Sequence, residues 1–126
     1  IFDSPGGLVT AGVALGAAIR ERGLDTAVKP GATCASACVH ALAGGVEREV
    51  PETSRVTIHR SHALTPDGRI LELPADRRAS LLAHLMGHYR AMGVDDTLVA
   101  LADLIPPSGE RALGRDVLAA TRLATR

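Results

Sequence analysis

The chain has 126 residues, enough for one domain with a single core. Fourteen basic and fourteen acidic residues cancel, so no excess charge draws it to nucleic acid or to an anionic membrane. One Tyr, one Phe and no Trp argue against base-stacking surfaces and aromatic sugar platforms, and two cysteines are too few for a disulfide scaffold or a four-ligand zinc site.

Ile1-Phe2-Asp3 reads as the end of a buried strand entering a Ser-Pro-Gly-Gly turn, so the domain is expected to have lost its N-terminal part. Leu8 to Arg22 carries apolar residues at Leu8, Ala11, Leu15, Ala18 and Ile19, one face of an amphipathic helix ended by Gly23. "DTAVKP" predicts a short strand stopped by Pro30. Ser36 to Leu42 is small and apolar, a buried helix closed by Gly44-Gly45. "VEREVPE" and "RVTIHR" predict two strands joined by a turn over Pro51 to Ser54. The order strand, helix, strand, helix, strand, strand implies an α/β layered domain.

"SHALTPDGRILELP" has Pro-Asp-Gly turn chemistry and predicts a loop or small hairpin. Pro74 opens a long helix to about Met92, with Leu81, Leu82, Leu85, Tyr89 and Met92 along one side. "VDDTLVALADLIPP" and "GRDVLAATRLATR" give two shorter helices. No apolar run approaches the roughly 18–20 residues that span a bilayer.

In "GATCASACVHALAGG" the lone Ser36 lies midway between Cys34 and Cys38 at a predicted helix start. Two readings stand open. Serine is a favoured N-cap; a hydroxyl beside unpaired N–H groups also suits a nucleophile whose product is an oxyanion. The two cysteines are either a local disulfide that fixes this elbow or two buried thiols, since the spacing is near the limit for a bridge. His84 and His88 could share one helix face for a metal, but no acidic residue stands between them and no third ligand is identifiable. The Arg77-Arg78 pair reads as a solvated face.

Three stretches taken together, Ser4-Pro5-Gly6-Gly7, Ala35-Ser36-Ala37 and Ser54-Arg55-Val56-Thr57-Ile58-His59, resemble the Clp protease proteolytic subunit family of the ClpP/crotonase superfamily. The resemblance is dense from Ile1 to Ser61, loose from His62 to Leu104 and moderate beyond. It implies a ClpP/crotonase-like layered fold and a serine-type peptidase without cofactor or metal. Ser36 would be the nucleophile, His59 the general base, and the N–H groups of Gly6 and Ala37 the oxyanion hole. A peptide or protein would be the substrate, paired along a cleft strand, and the chain would assemble as a homo-oligomer. The family's catalytic Asp falls near Pro106, leaving Asp103 as the nearest upstream carboxylate and Glu110 beyond it. The flanking cysteines are similar to the serine segment of bacterial ClpP-like proteins expected outside the cytoplasm, periplasmic or membrane-anchored. Two alternatives share this frame: a crotonase-type acyl-CoA enzyme using the same oxyanion hole, and a catalytically silent binding subunit.

Overall fold

In the computed structural model, which describes residues 1–126, the chain begins extended, with Phe2 paired in parallel to Val28 and Ser4 to Cys34. The Ser-Pro-Gly-Gly turn then releases it into α1 (Val9–Glu21), which Gly23 ends in the left-handed conformation. Next come β1 (Thr26–Ala27), β2 (Thr33–Ala35), α2 (Ala37–Leu42), β3 (Arg48–Glu49) and β4 (Arg55–Ile58). β1 pairs in parallel with β3, and β2 with β4 in the register Cys34 to Val56. Parallel neighbours require crossover connections, and α2 supplies one.

The second half adds the antiparallel hairpin β5 (Ala63–Leu64) and β6 (Ile70–Leu71), then α3 (Ala75–Ala91) and α4 (Thr97–Asp103). β7 (Arg111–Ala112) closes antiparallel on β4, and α5 (Arg115–Ala120) follows. No helix is long and apolar enough to cross a membrane.

Besides the two-residue β7, which carries no pattern, the structure departs from the sequence reading in three places. Thr33–Ala35 is a strand, although Thr-Cys-Ala is too short and small-featured to show a two-residue period. It is held by β4 on one side and Ser4 on the other. The two strands around the Pro51 turn do not pair with each other; they belong to different sheets. The third departure concerns the face of α1. Its Leu8 and Leu15 are 75% and 48% exposed, whereas Gly16 is buried. A Cβ at Gly12 would lie 2.3 Å from Ala37 O, and one at Gly16 2.5 Å from His40 O. Backbone-to-backbone contact with α2 therefore sets the rotation of α1, and the leucine stripe turns outward.

Val28, Cys34, Leu42, Val56 and Leu123 are at most 1% exposed and centre the core between the short sheets and the helices. Arg48, 3% exposed, has no carboxylate partner. Its guanidinium instead donates to the carbonyls of Gly45 and Arg122, each at 2.6 Å, while Arg20 donates to Gly44, Gly45 and Met92. Burial, then the neighbouring Arg20, lowers the Arg48 pKa. Carbonyls left over at the ends of α2 and α3 are thereby satisfied.

Candidate active site

Ser36 stands at the turn from β2 into α2, with φ 55° and ψ −122°. Turns reserve that region largely for glycine, and a side chain held there is strained by about 1–3 kcal/mol. Its hydroxyl makes no capping hydrogen bond, which removes the N-cap explanation of this serine. The conformation is that of a strand-to-helix elbow that presents a hydroxyl outward. Two contacts hold it. The Ser36 N–H donates to Thr57 O at 3.1 Å, and the Gly6 backbone is so close that a Cβ there would meet Ser36 Cβ at 2.8 Å. Gly6 itself has φ 107°, so both space and conformation demand glycine.

Cys34 and Cys38 are joined by a disulfide across the elbow, with Cα atoms 5.4 Å apart. Of the two alternatives open in the sequence, the structure has the bridge.

His59 follows the last residue of β4. Its Nδ1 lies 2.9 Å from Arg60 O. A carbonyl can only accept, so Nδ1 carries the proton and Nε2 keeps its lone pair. That is the tautomer a general base needs. The ring of His62 lies 5.5 Å away, its Nδ1 buried without a partner.

Ser36 and His59 open on one pocket of about 550 Å³, the solvent at its mouth included. Leu81, Leu82 and Leu85 of α3 and Leu98 and Val99 of α4 form its walls. Arg78 and Tyr89, both lining residues, stand eleven residues apart on α3, roughly 16 Å at the helical rise. The pocket is thus elongated, with the Arg78–Asp103 pair at one end and Tyr89 at the other. Tyr89 OH lies 2.8 Å from His40 Nδ1, and burial followed by the charge of His88 pulls His40 down to about 4. The imidazole on this wall is neutral.

Asp103 also lines the pocket but does not reach His59. Its carboxylate is gripped by Arg78, with Nε to Oδ1 at 2.8 Å and Nη2 to Oδ2 at 2.5 Å. Arg77 is exposed, as the sequence suggests for the pair, whereas Arg78, its side chain 36% exposed, turns from that face to fix Asp103. Arg60 connects the two groups: its Nε donates to Asp103 O at 2.9 Å, and its own carbonyl accepts from His59. Glu110 accepts instead from Thr57 Oγ1 at 2.9 Å. The role of the Arg60 carbonyl had no signal in the sequence, because it is a backbone group.

Of the two N–H groups expected as oxyanion donors, that of Ala37 has no intrahelical acceptor and makes no other backbone bond. That of Gly6 donates to Ser4 Oγ at 3.2 Å. The free donor of the turn is the N–H of Gly7, which makes no hydrogen bond to the backbone. His84 is exposed, and His88 Nε2 donates to His40 O at 2.9 Å, so the two do not act as a pair.

No protein-family profile matches this sequence, and no curated protein matches it significantly. Solved structures do. A serine-to-alanine variant of the 1510-N membrane-bound stomatin-specific protease superposes with a TM-score of 0.74 at 17% identity, over 98% of this chain and 59% of that one. A lysine-to-alanine variant of the 1510-N protease, in complex with a substrate peptide, gives 0.73 at 17%, over 98% and 57%. The chain therefore spans less than two thirds of these neighbours, and at such identity the likeness concerns architecture. The strand-to-helix elbow, the parallel β2–β4 pair and this superposition lead to one conclusion: the chain has the mixed α/β fold of the ClpP-like proteases.

Proposed function

We propose that this chain is a serine-type peptidase working through an acyl-enzyme on Ser36. The observation that carries this reading is the elbow. Ser36 is strained, does not cap its helix, and faces the same pocket as an imidazole whose Nε2 is left basic by the Arg60 carbonyl. The neighbours' names, a protease and its complex with a substrate peptide, support the same direction.

Ser36 Oγ attacks the scissile carbonyl while His59 Nε2 takes its proton. Charge developing on the carbonyl oxygen is met by the N–H groups of Ala37 and Gly7. The imidazolium then protonates the leaving amine, and water repeats the sequence on the ester. Ser36 and His59 are not hydrogen-bonded to each other, so this reading requires substrate binding to bring them within reach. The one lysine, Lys29, is exposed, pairs with Asp3 and lies outside the pocket, so His59 is the base this chain offers. Asp103 acts at one remove, holding Arg60 and through it the His59 ring. The aliphatic walls favour an apolar side chain next to the scissile bond.

The test is labelling by a fluorophosphonate together with turnover of a peptide or ester reporter. Labelling at Ser36, with both signals lost in Ser36→Ala at unchanged fold, is the expected result. An unlabelled Ser36 would leave the acyl-CoA enzyme and the silent binding subunit as the readings to pursue.

A further inference from the structure

Small-residue packing accounts for two buried thiols near Ser36, but not for their being joined across it. Cys34 is fixed in β2, paired with Val56 on one side and Ser4 on the other, and is 0% exposed. Cys38 is the second residue of α2. The bridge therefore ties an immobile strand to the first turn of the helix, with the strained serine at the apex of the closed loop. We propose that the Cys34–Cys38 disulfide is a positioning device for the nucleophile, and that reducing it switches the enzyme down. This rests on Ser36 being the nucleophile.

The competing state is the ordinary one for this sequence. Released from the loop, Ser36 leaves positive φ and takes the extended conformation of an N-cap residue. Its Oγ then accepts from N–H groups of the first turn of α2 and is drawn out of the pocket. The hydroxyl becomes a cap instead of a nucleophile. Without the bridge, Ser36 itself is held by the Thr57 carbonyl on its N–H and the Gly6 backbone against its Cβ, and Ala37 beyond it by the α1 backbone at Gly12; none of these closes the loop from Cys34 to Cys38.

The reductant would be a dithiol. Cys38, 6% exposed, borders the open groove formed with Gly6, Gly7, Leu8 and Ala37, whereas Cys34 is 0% exposed, so of the two sulfurs that of Cys38 is the one a reductant reaches, and Cys34 leaves as thiolate. The mixed disulfide is resolved by the reductant's second thiol. Two electrons and two protons end on Cys34 and Cys38, and the reductant departs as its own disulfide.

The experiment compares oxidised protein, protein reduced with dithiothreitol until both cysteines alkylate, and Cys34→Ala/Cys38→Ala. Fluorophosphonate labelling and kcat should fall together roughly ten- to a hundredfold on reduction. KM should stay within about twofold, since the pocket is not built from the elbow alone. The Ser36 amide, bonded to Thr57 O, should lose its protection from hydrogen exchange, and reoxidation should restore all three readouts. The double variant should match the reduced protein and ignore reductant; if it fails to fold, the reduced wild type carries the result. Unchanged kcat, labelling and Ser36 exchange in fully reduced protein would overturn the proposal. If even oxidised protein is not labelled, the peptidase reading fails instead. Ser36 exchange then decides the clamp by itself: protection lost on reduction upholds it, and protection kept overturns it.

Discussion

At His59 a backbone carbonyl stands where the family resemblance expects a carboxylate. Its proton sits on Nδ1 because Arg60 O can only accept, and no carboxylate touches the ring. In the serine-protease triad, replacing the Asp that holds the histidine by Asn lowers turnover by about 10⁴. Here Asp103 is engaged by Arg78 and reaches the ring only through Arg60. Asp103→Asn should accordingly lower kcat by no more than roughly tenfold, whereas His59→Ala should abolish turnover. Measuring both beside Ser36→Ala decides the matter. A loss near 10⁴ in Asp103→Asn would mean that the carboxylate reaches the imidazole in the working enzyme, and the carbonyl account would fall. That Ser36 and His59 would come to one place was legible because both lie in short local motifs, and they line one pocket. Their orienting group was not, since it is a carbonyl supplied by the path of the chain after β4.

Helix α1 illustrates a limit of periodicity at the scale of an element. Its apolar residues mark a stripe, but burial follows the glycines instead. Two helices whose backbones touch gain more contact than two separated by leucines, and only Gly12, Gly16 and Gly44 allow that approach. Gly16→Ala would push a Cβ into His40 O and His88, so it should cost about 1–3 kcal/mol by urea denaturation. The same change at Gly87, within α3 and with nothing within 4 Å of its missing Cβ, should be neutral or stabilise by about 0.4–1 kcal/mol. Equal effects at the two sites would show that helix propensity, not contact with α2, governs Gly16. Small residues flanking Ser36 and the helix preceding it are thus two halves of one interface.

Across the whole molecule, α2 and α3 are joined by polar contacts within an apolar core: His40 to Tyr89, and His88 to the His40 carbonyl. His40 is held neutral, its pKa drawn from 6.5 to about 4 chiefly by burial. The unfolded chain takes up that proton near pH 6.5 and the folded chain does not. Stability from this residue is therefore complete above about pH 6.5 and is lost as the pH falls towards 4, by roughly 3 kcal/mol in all. Urea midpoints of wild type and His40→Gln between pH 7.5 and 4 would check this, each pH being about the span set by the two pKa values. The variant should show the flatter profile; parallel profiles would assign the acid sensitivity to other groups.

The sequence by itself determined the layered α/β class, all five helices, and the Ser36 and His59 stretches, because helix periodicity, turn residues and short motifs are local. It left open whether Ser36 caps its helix and whether the cysteines are joined, and it mistook the buried face of α1. It also missed β2 and β7, too short to carry a pattern. Apart from the Cys34–Cys38 bridge, which joins residues four apart, those points were decided by contacts between residues far apart in the chain. Gly6 against Ser36 and Thr57 on the Ser36 amide exist only once the layers are packed, and with the disulfide they turn an ordinary helix-start serine into a half-buried elbow that lines the pocket.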